Sequence, residues 1–201
     1  MTKILQCFLL IFFLTGLQAQ SCFHTNLSRQ FDIQAKLIRH PECKGQEDSI
    51  MLYIFRKNSN IFLQRIIFNV DYYDHWDYNC CDLVKSYETG YNDTMLIMDN
   101  DFGNIVVADF NFDGKYDIAI KRAEGGNSGP VYNFYLLQNN GKFKLDTFLS
   151  EKMGYFPDEF DKKSSTLTTR VHAGACCLGE TVFKYNKQSQ QWRKVSRRLL
   201  R

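Results

Sequence analysis

The stretch Ile105 to Arg122 reads IVVADFNFDGKYDIAIKR, and its pattern decides how the rest of the chain is read. Oxygen-bearing side chains recur at alternate positions in a Gly-containing turn set between two apolar runs. Counted from Asp109 as position 1, Asn111, Asp113 and Asp117 take positions 3, 5 and 9, Gly114 takes position 6, and the Lys115 carbonyl takes position 7. A hard cation such as calcium binds about six to eight oxygens at roughly 2.3 to 2.6 Å, and this set supplies most of them. An EF-hand does not fit, because position 12 is Ile120 where that motif needs a bidentate Glu, and the flanks are not helical in pattern. Ile105, Val106, Val107 and Ala108 lead in, and Tyr116, Ile118, Ala119 and Ile120 lead out. Both runs are rich in β-branched residues and too short for helices. The expectation is a strand-loop-strand calcium site. A metal-free hairpin rich in Asp and Asn is the alternative, since Asp, Asn and Gly dominate turns. Converging carboxylates repel one another without a cation, and this favours the metal.

Upstream, Lys3 precedes an uncharged apolar stretch from Ile4 to Leu17, and small Ala19 stands at a plausible cleavage point. That is the layout of a secretory signal peptide over residues 1–19, too short to span a bilayer, which needs about 20 apolar residues. Acylation of Cys22 as a lipoprotein is a poorer reading, because Ala19, Gln20 and Ser21 lack the aliphatic residue such a site starts with. Residues 20–201 then form a single β domain in the periplasm or outside the cell. With Lys3 removed, 24 Lys and Arg stand against 22 Asp and Glu, a balance that names no partner and argues against nucleic acid. The end of the chain is locally basic, with Arg193, Lys194, Arg197, Arg198 and Arg201. It reads as a solvated tail or a contact for an anionic surface.

Six cysteines remain after the signal: Cys22, Cys43, Cys80, Cys81, Cys176 and Cys177. In an exported chain an even number points to disulfides. The expected pairing joins Cys22 to Cys43 and the doublet Cys80 and Cys81 to the doublet Cys176 and Cys177. Zinc held by the two doublets is the alternative, but they lack the usual two-residue spacer.

Short segments rich in Phe, Tyr, Ile, Val and Thr, separated by Asn, Asp, Gly and Ser, predict an all-β chain of antiparallel strands. Strands are expected near Phe31 to Ile38, Ile50 to Arg56, Ile61 to Asn69, Met95 to Met98, Ile105 to Phe110 and Tyr116 to Lys121. Further strands are expected near Val131 to Gln138, Lys142 to Leu149, Thr166 to Val171, Thr181 to Tyr185 and Gln191 to Val195. Only Cys81 to Glu88 suggests a helical turn or two.

The string VVADFNFDGKYDIAI resembles the calcium loops of FG-GAP and VCBS-type repeats, where DxNxDGxxD lies between two strands of a propeller blade. The longer run, through Gly125, Gly126, Asn127, Ser128, Gly129 and Pro130 into VYNFYLLQNNGKF, is similar to small exported bacterial proteins with a propeller-like β fold. Some of those inhibit lysozyme-type peptidoglycan hydrolases as immunity proteins. The resemblance spans about Ile105 to Leu149 and weakens toward Val195. With one motif copy, it implies a small propeller-like or irregular antiparallel multi-sheet domain bearing one calcium site. It implies a non-enzymatic binding protein whose calcium ligands, Asp109, Asn111, Asp113, the Lys115 carbonyl and Asp117, are structural.

The Gly-rich loop follows the strand that leaves the calcium turn, so metal would fix one of its stems, and such a loop suits entry into a partner's cleft. Gly125, Gly126, Asn127, Ser128 and His172 are therefore the candidate partner contacts. A surface adhesion or carbohydrate-binding module is the second reading, with Tyr72, Tyr73, Trp76 and Tyr78 as a sugar platform. A metal-dependent hydrolase using His75 or Asp77 is the third, although no nucleophile or zinc-protease motif is visible.

Overall fold

Residues 21–38, 49–69, 84–87 and 101–201 are described by a computed structural model. The expected strand at Met95 to Met98, the segment around His75 and Trp76, Cys43, Cys80, Cys81 and the signal segment lie outside them. The described chain is all-β and built of three sheets, each made mostly from consecutive segments.

The first sheet runs β1 (Ser21–His24), β2 (Phe31–Ile38), β3 (Ser49–Arg56) and β4 (Phe62–Asn69), antiparallel throughout. The second runs β5 (Val84–Ser86), β6 (Ile105–Ala108), β7 (Asp117–Ala123), β8 (Val131–Leu137) and β9 (Phe143–Leu145). The third runs β10 (Glu159–Asp161), β11 (Thr166–His172), β12 (Leu178–Asn186) and β13 (Gln191–Leu200).

The second sheet is covered on both faces, and the two-residue period of a strand divides its side chains between two cores. Ile105, Val107, Ile118 and Ile120 join Ile33, Leu52, Ile54 and Phe68 of the first sheet. Val106, Ala108, Ala119 and Phe134 join Leu149, Phe156, Leu167 and Trp192 on the other side. This double burial explains why β6 is apolar at every position, where a sheet with one wet face would alternate. Aromatic rings fill the second core: Phe156 packs on Phe102 at 4.3 Å and on Phe110 at 5.7 Å between ring centroids.

Four expectations are corrected. Cys81 to Glu88 is not helical where it is described; Val84–Ser86 is a strand lying parallel to β6, so the sheets are not wholly antiparallel. Its three residues are buried, and pairing with β6 satisfies main-chain groups that water does not reach. The strand expected to reach Leu149 ends at Leu145, and Phe148–Met153 form a single π-helical turn. The Asp146 carboxylate takes the Leu149 N–H at 2.8 Å and starts this turn, while Gly154 at φ 72° ends it. The basic end is not a free tail: β13 stays paired with β12 as far as Leu178 opposite Leu200. Arg198 there donates to the buried Glu180 at 2.6 Å.

Candidate metal loop and neighbouring surfaces

The loop between β6 and β7 is folded around its own carboxylates. Asp109 accepts the Asp113 N–H at Oδ1 and the Gly114 N–H at Oδ2, each at 3.0 Å. Asn111 accepts the Asp113 N–H at 3.2 Å. Gly114 stands at φ 85°, a conformation that suits glycine, and the chain turns there. Phe112 also has positive φ, 59°, which is uncommon for a bulky residue. Its ring is buried and lies 6.4 Å from that of Trp192, so third-sheet packing holds the unusual backbone in place.

Asp117 is fully buried beneath this turn. Its Oδ2 accepts the Phe110 N–H at 3.0 Å and its Oδ1 accepts the Leu137 N–H at 2.8 Å, tying the loop to β8. Each oxygen keeps a second lone pair. Burial pushes the Asp117 carboxyl well above the usual range, and the charges of Asp113 and Asp109 add to the shift. Asp109 is raised mainly by burial and secondarily by Asp113, against the lowering effect of its two backbone donors. Asp113 reaches outward and meets Lys115 Nζ at 3.1 Å.

The structure therefore brings Asp109, Asn111, Asp113, Lys115 and Asp117 into one loop. Among the described residues, no group of three or more His, Cys, Asp or Glu side chains stands in metal-holding geometry. Asp109, Asp113 and Asp117 thus do not converge as such a group here, while the loop also offers an amide and a main-chain carbonyl, donor types that hard-cation loops use. Paired acids whose ionised forms are disfavoured by burial and by each other suit a calcium ion, which supplies positive charge.

Two features beside the loop are not legible in the sequence motif. Gln30, just before β2, accepts the Tyr116 N–H at 3.0 Å and donates to the Gly114 carbonyl at 3.4 Å, clasping the loop to the first sheet. A cleft of about 500 Å³ opens beside the loop, lined by Asn111, Asp113, Lys144, Asp146, Tyr185 and Lys187 among others.

The Gly-rich loop stands apart from the metal loop. The two lie at opposite ends of β7, roughly 20 Å apart for a seven-residue strand, so a cation at the first would reach the second only through that strand. Gly126–Ser128 form a single 3₁₀ turn whose first three residues from Gly125 are exposed. Gly125 has φ 66°, and a Cβ there would sit 2.0 Å from the Gly129 carbonyl oxygen, so the tight closure of this loop requires glycine. Ser128 Oγ donates to the His172 carbonyl at 3.3 Å. Gly125, Gly126, Asn127, Ser128 and His172 are thus brought together from the second and third sheets.

The cysteines divide. Cys22 is buried and disulfide-bonded; its expected partner, Cys43, lies outside the described residues. Cys176 and Cys177 carry free thiols, with sulfur atoms 2.6 Å apart, in the turn between β11 and β12. Cys80 and Cys81, the partners expected for this doublet, lie outside the described residues. Hydrogen bonding to Cys176 raises the Cys177 thiol. A thiol reagent applied to the native protein is expected to label both residues, with Cys177 reacting appreciably only as pH rises above the ordinary thiol range. Mass spectrometry that finds neither residue labelled would instead indicate a bridge.

No family model matches the sequence, and no curated protein matches it. The fold is similar to that of a known structure, a Xanthomonas type IV secretion system related protein. The TM-score is 0.56 at 15% identity, over 89% of this chain and 86% of that one. A likeness at this identity concerns architecture alone.

Proposed function

We propose that this is an exported, calcium-stabilised binding protein without catalytic activity, and that its partner is a peptidoglycan-degrading enzyme of the lysozyme type. The reading is carried by the juxtaposition of Gly125–Ser128 with His172, an edge supplied by two sheets and held by the hydrogen bond from the Ser128 hydroxyl to the His172 carbonyl. Three sheets in chain order, with the DxNxDGxxD loop between β6 and β7, are consistent with a propeller-like relationship in which each sheet corresponds to a blade.

The mechanism follows from stiffness. A loop already ordered before contact loses less conformational freedom on entering a glycan-binding cleft, so more of the contact energy appears as affinity. The calcium loop and the clasp from Gln30 hold the sheets that carry the contact edge. The Cys22 disulfide fastens β1, and Asp109 to Asp117 act as structural ligands.

A bacteriolysis assay against a panel of lysozymes and amidases tests the inhibitor reading. Protection is expected against at least one member, and His172→Glu or Asn127→Trp is expected to weaken it about tenfold or more, as for central interface contacts. Absence of protection across the panel would remove this reading. The cleft beside the metal loop favours a second one, a carbohydrate-binding module, because the Tyr185 ring and the amides of Asn111, Asn139 and Gln190 line it. Glycan binding without any protein partner would support that alternative.

A further inference from the structure

The outward face of the first sheet is apolar and cationic at once. In β3 and its neighbours, one set of alternate residues enters the core and the other, Phe23, Tyr53, Phe55, Phe62 and Ile67, faces away from it. Phe23 and Phe62 are each 54% exposed and Ile67 is 47% exposed, with Ile61 at 49% in the adjoining hairpin. The rings form one continuous patch: Phe23 lies 6.0 Å from Phe55, Phe55 lies 6.1 Å from Phe62, and Tyr53 lies 6.4 Å from Phe62. Contiguous exposed apolar surface of this kind marks an interaction site.

Among the described residues, the charge on this face that stands outside an ion pair is positive. Lys36 holds its ammonium 5.3 Å above the Tyr53 ring, and Arg65 stands opposite Tyr53 on β4, exposed. The carboxylate found on this face among the described residues, Asp32, is buried and already bound by Lys57 at 2.8 Å and by the Asn58 N–H at 2.9 Å. Neither Lys36 nor Arg65 makes an ion pair with a described residue. Such a face is complementary to an anionic surface.

We infer that this sheet face docks on an anionic lipid surface, with Phe23, Phe62, Ile61 and Ile67 entering the interfacial layer and Lys36 and Arg65 meeting the headgroups. The membrane's own chemistry matches both halves of the patch, since interfacial binding combines buried apolar side chains with basic residues at anionic headgroups. A second copy of the chain is disfavoured, because a self-complementary pairing would set Lys36 and Arg65 against their own like charges. A stacked sugar is disfavoured by ring geometry: neighbouring ring planes are tilted by 54° and 69°, so they offer no common flat platform. Two clefts among the described residues lie on the other two sheets.

Co-sedimentation of the purified protein with phosphatidylcholine vesicles, with and without phosphatidylglycerol, tests this. Binding is expected only to the phosphatidylglycerol vesicles, with release by salt. The double variant Lys36→Glu with Arg65→Glu is expected to lose at least about 30-fold in affinity, at roughly 1 kcal/mol for each basic residue removed. Phe23→Ser with Phe62→Ser is expected to lose at least about tenfold through lost apolar contact. All four positions are at the surface, and circular dichroism verifies that each variant is folded. Sedimentation with neither vesicle, or equal binding to both, would overturn the proposal. So would dimerisation that the Phe variants abolish without any vesicle binding, which would assign the face to a second copy. Preferential binding of poly-glutamate over vesicles would overturn it in favour of an acidic protein. None of these outcomes depends on the bacteriolysis result.

Discussion

Calcium added to chelator-stripped protein at neutral pH is expected to raise the melting temperature by about 5 to 10 °C. A ligand that binds only the native state at 100 times its dissociation constant adds about 2.7 kcal/mol, and for a chain of this size each kcal/mol moves the melting temperature by about 2 to 4 °C. Magnesium is expected to do much less. It is smaller, needs near-ideal octahedral geometry and sheds water reluctantly, whereas this donor set is an irregular mixture around a turn. Differential scanning calorimetry in chelator, in CaCl₂ and in MgCl₂ gives the comparison. A melting temperature indifferent to calcium would remove the metal from this account.

The same loop predicts an interplay with pH whose sign can be worked out. Asp109 and Asp117 have folded-state values above the ordinary carboxyl range, chiefly because burial disfavours the charged form. A raised carboxyl stabilises the fold while it is protonated, and this contribution is lost as pH rises through the folded value. In chelator, these two groups therefore make the protein less stable on going from mildly acid to neutral pH. Asp146 and Asp158, also raised by burial, act in the same direction but lie outside the metal ligand set. Calcium binds the ionised carboxylates and competes with protons, so the thermal shift it produces is expected to grow with pH over that window. A calcium shift that shrinks as pH rises would mean these acids are not the ligands.

Strand identity was largely legible in the sequence because the cores enforce it. Phe31 to Lys36 alternate where one face is wet, Ile50 to Phe55 run apolar although only alternate residues are buried, and Ile105 to Ala108 run apolar where both faces are covered. What was missed has particular causes. The strand at Ser21–His24 has a four-residue sequence with no apolar alternation, and forms by pairing along β2. The π-helical turn at Phe148–Met153 hides its start in Asp146 and its stop in Gly154, while its β-prone Phe and Leu suggested a strand. The length of β13 is set by pairing with β12, a tertiary effect that masks a run of arginines. The loop's ligands could be read from spacing alone, but not the clasp from Gln30, 84 residues distant from Gly114 in sequence, nor the contact of Ser128 with His172. Such contacts leave no local pattern.

Asp117 and Asp113 separate the structural role of the loop from its cation-binding role, and substitutions at the two positions are expected to diverge. Asp117 is a fully buried acceptor for the N–H groups of Phe110 and Leu137. In Asp117→Ala, both donors lose their partner inside the protein. An orphaned buried donor costs about 1 to 3 kcal/mol, while removal of the buried charge returns part of that. The donors outweigh the charge, because burial already favours the neutral form of Asp117, which still accepts both bonds. The net loss in chelator is expected to be about 2 to 4 kcal/mol, seen as an earlier urea midpoint, and to be larger in calcium, where a ligand is lost as well. Asp113 has a side chain 30% exposed and pairs only with Lys115 at the surface. Asp113→Ala is therefore expected to stay within about 0.5 kcal/mol of the parent in chelator, as surface changes do, and to lose most of the calcium-induced shift. Equal loss of chelator stability in the two variants would mean that the carboxylates form one structural unit. Retention of the calcium shift in Asp113→Ala would exclude position 5 of the loop from the coordination shell.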